Sequence, residues 1–78
     1  MLLRRHSRPW LCDVFYDTEA SAYLLEALCG GVAMYTVRLH LTAEESAAFE
    51  RDPSSVERLA FSVAKDHGQF RSRFLTPP

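Results

Sequence analysis

The segment from Val32 to Leu41 alternates between two sets of side chains, and this alternation constrains the fold more than any other feature of the sequence. One set is apolar throughout and comprises Ala33, Tyr35, Val37, Leu39 and Leu41. The other set is more polar and comprises Met34, Thr36, Arg38 and His40. Because successive side chains of a strand point to opposite faces of a sheet, the pattern predicts a strand with one buried face, at about residues 33–41.

Two glycines precede this strand and indicate a hairpin, since tandem glycines between apolar runs favour a tight antiparallel connection. If Gly30-Gly31-Val32 is a three-residue loop, the facing pairs are Cys29 with Ala33, Ala27 with Tyr35, Leu25 with Val37, and Tyr23 with Leu39. Every member of that face is apolar, which predicts a strand at about 21–29. A further strand is predicted at about 10–16, a run rich in aromatic and branched residues.

Residues 20–28 also fit a helix. Five apolar residues fall at helical spacing there, with Gly30 as a terminator: Ala20, Tyr23, Leu24, Ala27 and Leu28. A helix would give a β-α-β-α-α arrangement with only two strands, which make a poor sheet for an isolated domain. We therefore prefer a three-stranded antiparallel meander over residues 10–16, 21–29 and 33–41.

Two helices are predicted after the strands. Thr42-Ala43-Glu44-Glu45 matches a capping box, and Asp52-Pro53 ends the short helix that follows, at 43–51. Ser54-Ser55-Val56-Glu57 matches a second capping box and begins a longer helix at 55–67, with Gly68 placed to terminate it. This longer helix carries an apolar stripe formed by Val56, Leu59, Ala60, Val63 and Ala64.

These elements predict an α+β fold in which the longer helix covers one face of the sheet. Residues 1–78 form a single domain, with a basic N-terminal arm at 1–9 and a C-terminal tail at 69–78. The predicted core contains either Phe61 or Phe49 together with Cys12, Val14, Leu25, Tyr35, Val37, Leu39, Leu59, Ala60 and Val63.

Composition narrows the functional classes. The net charge of −1 excludes whole-molecule attraction to nucleic acid or to an anionic membrane as the main driving force. The longest run without a charged residue spans 27–37, and a membrane-spanning helix needs about 20 apolar residues. Two cysteines, Cys12 and Cys29, lie among apolar neighbours, which predicts buried reduced thiols and a cytoplasmic protein.

The sequence does not predict an enzyme, a cofactor or a metal site. The three histidines are isolated from one another and from the cysteines at the spacings that metal sites use. A nucleophilic pair of Cys29 and His40 is disfavoured because the predicted hairpin places them on opposite faces. Glu44 and Glu45 belong to the first turn of a helix, where acids are common.

A protein-interaction or self-associating module is the preferred function. The second face of the predicted sheet is partly apolar, and Leu11 and Phe15 can extend it, so we expect a two-fold homodimer or another protein partner. The candidate residues are Leu24, Leu28, Met34, Thr36, Arg38 and His40. The competing possibility is a monomer whose tail covers this face through Phe70, Phe74 and Leu75.

Weak nucleic-acid binding is the alternative function. Both ends of the chain are basic, and chain termini often lie close together. Trp10, Phe70 and Phe74 flank these ends, and guanidinium groups beside aromatic rings suit single-stranded nucleic acid. The candidate patch consists of Arg4, Arg5, Arg8, Arg71 and Arg73.

Overall fold

A computed structural model of the chain describes residues 1–29 and 35–75. One antiparallel sheet has the strand order β1-β2-β3-β4, with β1 at Leu2–Arg8, β2 at Cys12–Asp17, β3 at Ala22–Cys29 and β4 at Tyr35–His40. Helices α1 (Ala43–Arg51), α2 (Ser55–Lys65) and α3 (His67–Phe70) follow, and a 3₁₀ turn spans Arg71–Arg73. The predicted α+β class is confirmed. The helical alternative for residues 20–28 is wrong, because those residues form most of β3.

The sheet has four strands where three are predicted, because the supposed basic arm contains β1. This strand pairs along β2, from Leu2 opposite Asp17 to Arg8 opposite Cys12, with an irregularity between Arg4 and His6. An edge strand tolerates charged side chains on both faces, since neither face has to be buried. Because of its arginines, β1 lacks the alternation of apolar and polar residues by which a strand is predicted from sequence.

The register between β3 and β4 differs from the prediction by two residues. Cys29 lies opposite Tyr35, Ala27 opposite Val37, and Leu25 opposite Leu39. The predicted pairing of Cys29 with Ala33 and the Gly30-Gly31-Val32 loop concern residues outside the described ranges. A shift of two residues leaves every side chain on its predicted face, because the side-chain period of a strand is two.

Helix α1 begins as predicted. Thr42 is its N-cap: its hydroxyl accepts a hydrogen bond from the Glu45 amide, and the Glu45 carboxylate accepts one from the Thr42 amide. The second predicted capping box is wrong, because the Ser54 hydroxyl donates to Asp52 and makes no cap bond. Helix α2 also ends earlier than predicted, with Asp66 as its C-cap, so Gly68 lies inside α3 and does not terminate α2.

The core lies between the sheet and α2. We call the helix-covered side of the sheet the inner face. It contributes Cys12, Val14, Leu25, Ala27, Cys29, Val37 and Leu39, and the helices add Phe49, Val56, Ala60 and Val63. Two predicted core residues are corrected: Tyr35 is exposed and Leu59 is only half-buried. Of the two phenylalanines offered as alternatives, Phe49 is buried in the core and Phe61 is exposed. Tyr35 is the first residue of β4, at the margin of the sheet, and Phe61 is on the solvent side of α2.

The C-terminal segment packs on the inner side and along the edge of β4. Phe70 and Phe74 contact the core, Phe74 forms a β-bridge with Leu39, and the Leu75 amide donates to the Arg38 carbonyl at 2.8 Å. Arg73 fixes this segment by donating to the His40 carbonyl at 2.9 Å. The predicted tail is therefore structured as far as residue 75.

Candidate protein-interaction face

The face of the sheet directed away from the helices is the candidate site, and we call it the outer face. The strand registers and the alternation of side chains define its members. They are Leu2, Arg4, Ser7, Asp13, Phe15, Asp17, Ala22, Leu24, Glu26, Leu28, Thr36, Arg38 and His40. Among the described residues, α1, α2 and α3 all contribute to the inner side, so no helix covers this face.

The centre of the outer face is apolar. Phe15 of β2 lies directly opposite Leu24 of β3, and Leu24 is only 3% exposed although no helix packs on it. The Arg4 guanidinium lies 5.5 Å from the centroid of the Phe15 ring, within the range of a cation–π interaction. Neighbouring side chains on the same face therefore lie over the apolar centre and shield part of it from water.

Two pairs of polar side chains flank this centre. The Arg38 Nε lies 2.7 Å from Glu26 Oε2 across β3 and β4, and His40 Nε2 lies 3.5 Å from Asp17 Oδ2. Desolvation raises the pKa of Asp17, but hydrogen bonds from the Ala20 and Glu19 amides and from His40 outweigh it, and the pKa falls below its ordinary value. The outer face thus carries both signs of charge around a hydrophobic centre.

The structure places five of the six predicted interface residues on this one face: Leu24, Leu28, Thr36, Arg38 and His40. Met34 lies outside the described residues. Phe15 joins the face as expected, while Leu11 packs against the core. Phe70 and Phe74 pack on the opposite side of the sheet, so they do not cover the candidate face.

The predicted basic residues lie at the two opposite edges of the sheet. Arg4, Arg5 and Arg8 belong to β1, whereas Arg71 and Arg73 follow the helices and Arg73 lies beside β4. Three strand spacings, roughly 14 Å, separate those edges. Arg73 is also held by the Glu45 carboxylate at 2.6 Å, so it is engaged within the fold. The structure does not bring the two groups together.

Both cysteines are free thiols buried on the inner face. Burial, with smaller contributions from the charges of Glu57 and Asp13, raises the pKa of Cys12 to about 11, and burial also raises the pKa of Cys29. His40 is on the other face of the sheet. Within residues 1–29 and 35–75, no group of three or more potential ligands could hold a metal ion.

Sequence reasoning missed a cleft at one end of the outer face. It has a volume of about 290 Å³ and lies beside the turn between β1 and β2, with Trp10, Asp13, Glu26 and Leu28 in its lining. Asp13 lies directly opposite Glu26, a juxtaposition of like charges that appears only when the register of β2 and β3 is known. The one signal available beforehand was a tryptophan next to a proline at the start of a predicted strand.

Comparison with known proteins yields no relative. No family model matches the chain, and neither curated proteins nor solved structures include one with significant similarity to it. In the part of the chain that the structure describes, no helix is long and apolar enough to cross a membrane.

Proposed function

We propose that this chain is a small, non-enzymatic interaction module that self-associates through the outer face of its sheet. One observation carries the proposal. The described helices and the C-terminal aromatic residues Phe70 and Phe74 pack on the inner side, so the half-buried Phe15 and Leu28 lie on a face that no described helix covers. An uncovered sheet face with an apolar centre is typical of interfaces.

The charges of the outer face favour a second copy of the same chain as the occupant. Arg4 and Arg38 lie on the edge strands, and the carboxylates of Asp13, Asp17 and Glu26 lie on the two central strands. An identical copy presents both signs and can match them, whereas a uniformly acidic or basic partner would meet like charges. A two-fold arrangement uses the same patch on both copies and closes on itself.

The size of the face predicts a weak dimer. Four strands spaced about 4.8 Å apart, each presenting about 20 Å of length, give roughly 400 Å² per copy. Two copies then bury about 800 Å² by this measure, below the ~1,200 Å² at which stable interfaces begin. We therefore expect a reversible dimer that forms at micromolar or higher concentration.

A non-catalytic role and a reducing, cytoplasmic environment belong to the same proposal. The two thiols are unpaired and buried, and the raised pKa of Cys12 keeps it protonated at neutral pH. A protonated thiol is a poor nucleophile. These properties support a structural role for both cysteines as small core residues.

Sedimentation velocity from micromolar to millimolar concentration tests the proposal. We expect a mass that rises towards the dimer, and Phe15→Lys should abolish the rise, because the lysine stem can still cover Leu24 while its ammonium group would be desolvated at the interface. Thr36→Lys, at an exposed position of the same face, gives a second test with little risk to folding. Phe61→Lys, on the solvent side of α2, is the matched control and should leave the association unchanged.

A monomeric mass at every concentration would overturn the proposal. So would association that Phe61→Lys abolishes while Phe15→Lys and Thr36→Lys both leave it intact. Circular dichroism of each variant confirms that it is folded before its mass is interpreted.

Nucleic-acid binding is a weaker candidate, now centred on the three exposed arginines of β1. Titration with single-stranded RNA and DNA at low salt tests it. Micromolar binding that weakens steeply with salt and is lost in Arg4→Ala/Arg5→Ala would support it, because binding to phosphates releases counterions. Arg71→Ala, at the opposite edge of the sheet, is the control.

A further inference from the structure

The turn between β1 and β2 holds a tryptophan in an unfavourable backbone conformation. The Leu11 amide donates to the Arg8 carbonyl at 3.0 Å, which makes Pro9 and Trp10 the central residues of a four-residue turn. Trp10 has φ = 67°, the left-handed region that a turn of this type normally assigns to glycine or asparagine. Its side chain is 84% exposed, so packing does not compensate for the strain. Among the described residues, the hydrophobic core does not include this indole, so core packing does not explain a tryptophan at this position.

The indole borders the cleft at this end of the outer face. The cleft volume of about 290 Å³ lies at the lower limit of ordinary ligand pockets. That volume suits one long side chain better than a whole metabolite. Leu11 and Leu28 add apolar surface to the same lining. The Trp10 ring and the two leucines together suit a ligand that has a chain of methylene groups ending in a planar polar group.

The polar part of the cleft is acidic. Asp13 and Glu26 lie directly opposite each other on β2 and β3, an arrangement that normally destabilises a sheet. Arg38 neutralises one of the two charges through Glu26 Oε2, and Asp13 forms no ion pair with any residue that the structure describes. Arg8 also borders the cleft, and its Nε lies 3.9 Å from the Glu57 carboxylate of α2, which offsets part of its charge. The charge of Asp13 is also one of the causes that raise the pKa of Cys12.

We propose that this cleft binds an arginine side chain presented by a protein partner. The planar guanidinium stacks on the Trp10 indole and donates to the carboxylates of Asp13 and Glu26, while its methylene groups contact Leu28. Arginine suits this combination better than lysine, because its planar fork both stacks on aromatic rings and pairs with carboxylates. The inference goes beyond the proposed dimer, which relies on the centre of the outer face around Phe15 and Leu24.

The sole tryptophan of the chain makes the cleft directly observable. The probe is an acetylated, amidated Gly-Arg-Gly peptide, titrated while Trp10 fluorescence and amide chemical shifts are recorded. The matched probes contain lysine or citrulline, the latter being a neutral isostere of arginine. We expect saturable changes at Trp10, Asp13 and Leu28 with the arginine peptide, several-fold weaker binding with lysine, and at least tenfold weaker binding with citrulline.

Two glycine variants separate binding from folding. Trp10→Gly should lose the chemical-shift response at least tenfold while its thermal stability stays equal or rises, because glycine adopts this conformation without strain. Ser21→Gly is the matched control, since Ser21 also has a positive φ of 53° but lies at the other end of the sheet. It should bind like the parent chain. Asp13→Asn should weaken binding without altering the turn.

Equal binding of the citrulline and arginine peptides would overturn the proposal, as would binding that Trp10→Gly leaves unchanged. Butylguanidinium binding as tightly as the peptide would overturn the assignment of a protein partner and indicate a small cation. The titrations use protein at a concentration where sedimentation detects only monomer. Failure of the dimer proposal therefore leaves this test intact, and failure of the cleft leaves the dimer test intact.

Discussion

Arg73 and Glu45 form a two-pronged ion pair that joins the C-terminal segment to the start of α1. Arg73 Nη2 lies 2.6 Å from Glu45 Oε1, and Nη1 lies 3.2 Å from Oε2. The same carboxylate also closes the capping box by accepting from the Thr42 amide. Arg73 in turn donates to the His40 carbonyl at the end of β4. One side-chain pair therefore fixes the sheet, the first helix and the tail relative to one another.

This pair predicts a loss of stability in acid. Burial raises the pKa of Glu45, but hydrogen bonds from Arg73 and Thr42 outweigh it, and the pKa in the folded chain lies below the usual 4.5. The contribution of a group with a depressed pKa is complete above the unfolded value and is lost as pH falls through the folded one. We expect Glu45→Gln to cost about 1 kcal/mol at pH 7 and progressively less below about pH 4.5. Urea denaturation across this pH range measures the difference.

Glu44→Gln is the matched control for this measurement. Glu44 lies in the same first turn of α1 and is exposed, so its substitution should change the free energy of unfolding by a few tenths of a kcal/mol at any pH. A difference between Glu45→Gln and the parent chain that persists undiminished at low pH would contradict the assignment of the effect to the charge.

The two predicted capping boxes should respond differently to alanine. Thr42 makes a cap bond, so Thr42→Ala should destabilise the fold by about 1 kcal/mol. Ser54 makes none and bonds to the Asp52 side chain at the surface, so Ser54→Ala should cost less. Chemical denaturation of the two variants gives the comparison, and equal losses would contradict the cap geometry.

The loss of stability caused by truncating an apolar side chain to alanine should increase with the burial of that side chain. Leu39 is fully buried and also carries the β-bridge to Phe74, so Leu39→Ala should cost about 2–5 kcal/mol. Leu59 is half-buried, so Leu59→Ala should cost less than Leu39→Ala. Phe61 is 63% exposed, and Phe61→Ala should stay within about 0.5 kcal/mol of the parent chain. Thermal denaturation of the three variants checks this order of stability losses. A larger loss for Phe61→Ala than for Leu39→Ala would contradict it.

Both thiols should be nearly inert in the folded protein. Cys12 has a pKa of about 11, and both sulfur atoms lie in the core. Only the thiolate reacts with disulfide reagents, so the rate at neutral pH should be limited by opening of the fold and should rise sharply in denaturant. Absorbance during reaction with an aromatic disulfide follows the rate. Reaction in native buffer as fast as that of an unfolded control peptide would rule out burial.

The faces of the strands could be predicted from the sequence, but the register and β1 could not. Alternation assigned Val37 and Leu39 to the core, and it assigned Arg38 and His40 to the outer face. The connection length between β3 and β4 depends on loop conformation, which two glycines do not specify. Because the predicted register differs by an even number, the described candidate residues still lie together on the outer face.

The wrong second capping box has a plain cause, which is that other partners occupy the side chains of the motif. Glu57 matches the third position of a capping box, yet it lies 3.4 Å from His6 and 3.9 Å from Arg8 of β1. Ser54 bonds to Asp52 for the same reason that serine caps helices, namely a short side chain beside free polar groups. The cleft at Trp10 is lined by residues from all four strands, and no local pattern encodes their arrangement.

The two edges of the sheet are protected by different means, and this limits how large an assembly can grow. Phe74 and Leu75 occupy part of the β4 edge through backbone contacts, while β1 carries three arginines and an interrupted register. Neither edge therefore presents a long, neutral template on which further strands could add. In the proposed two-fold dimer, these protected edges would disfavour the addition of further strands, so we expect assembly to stop at two copies.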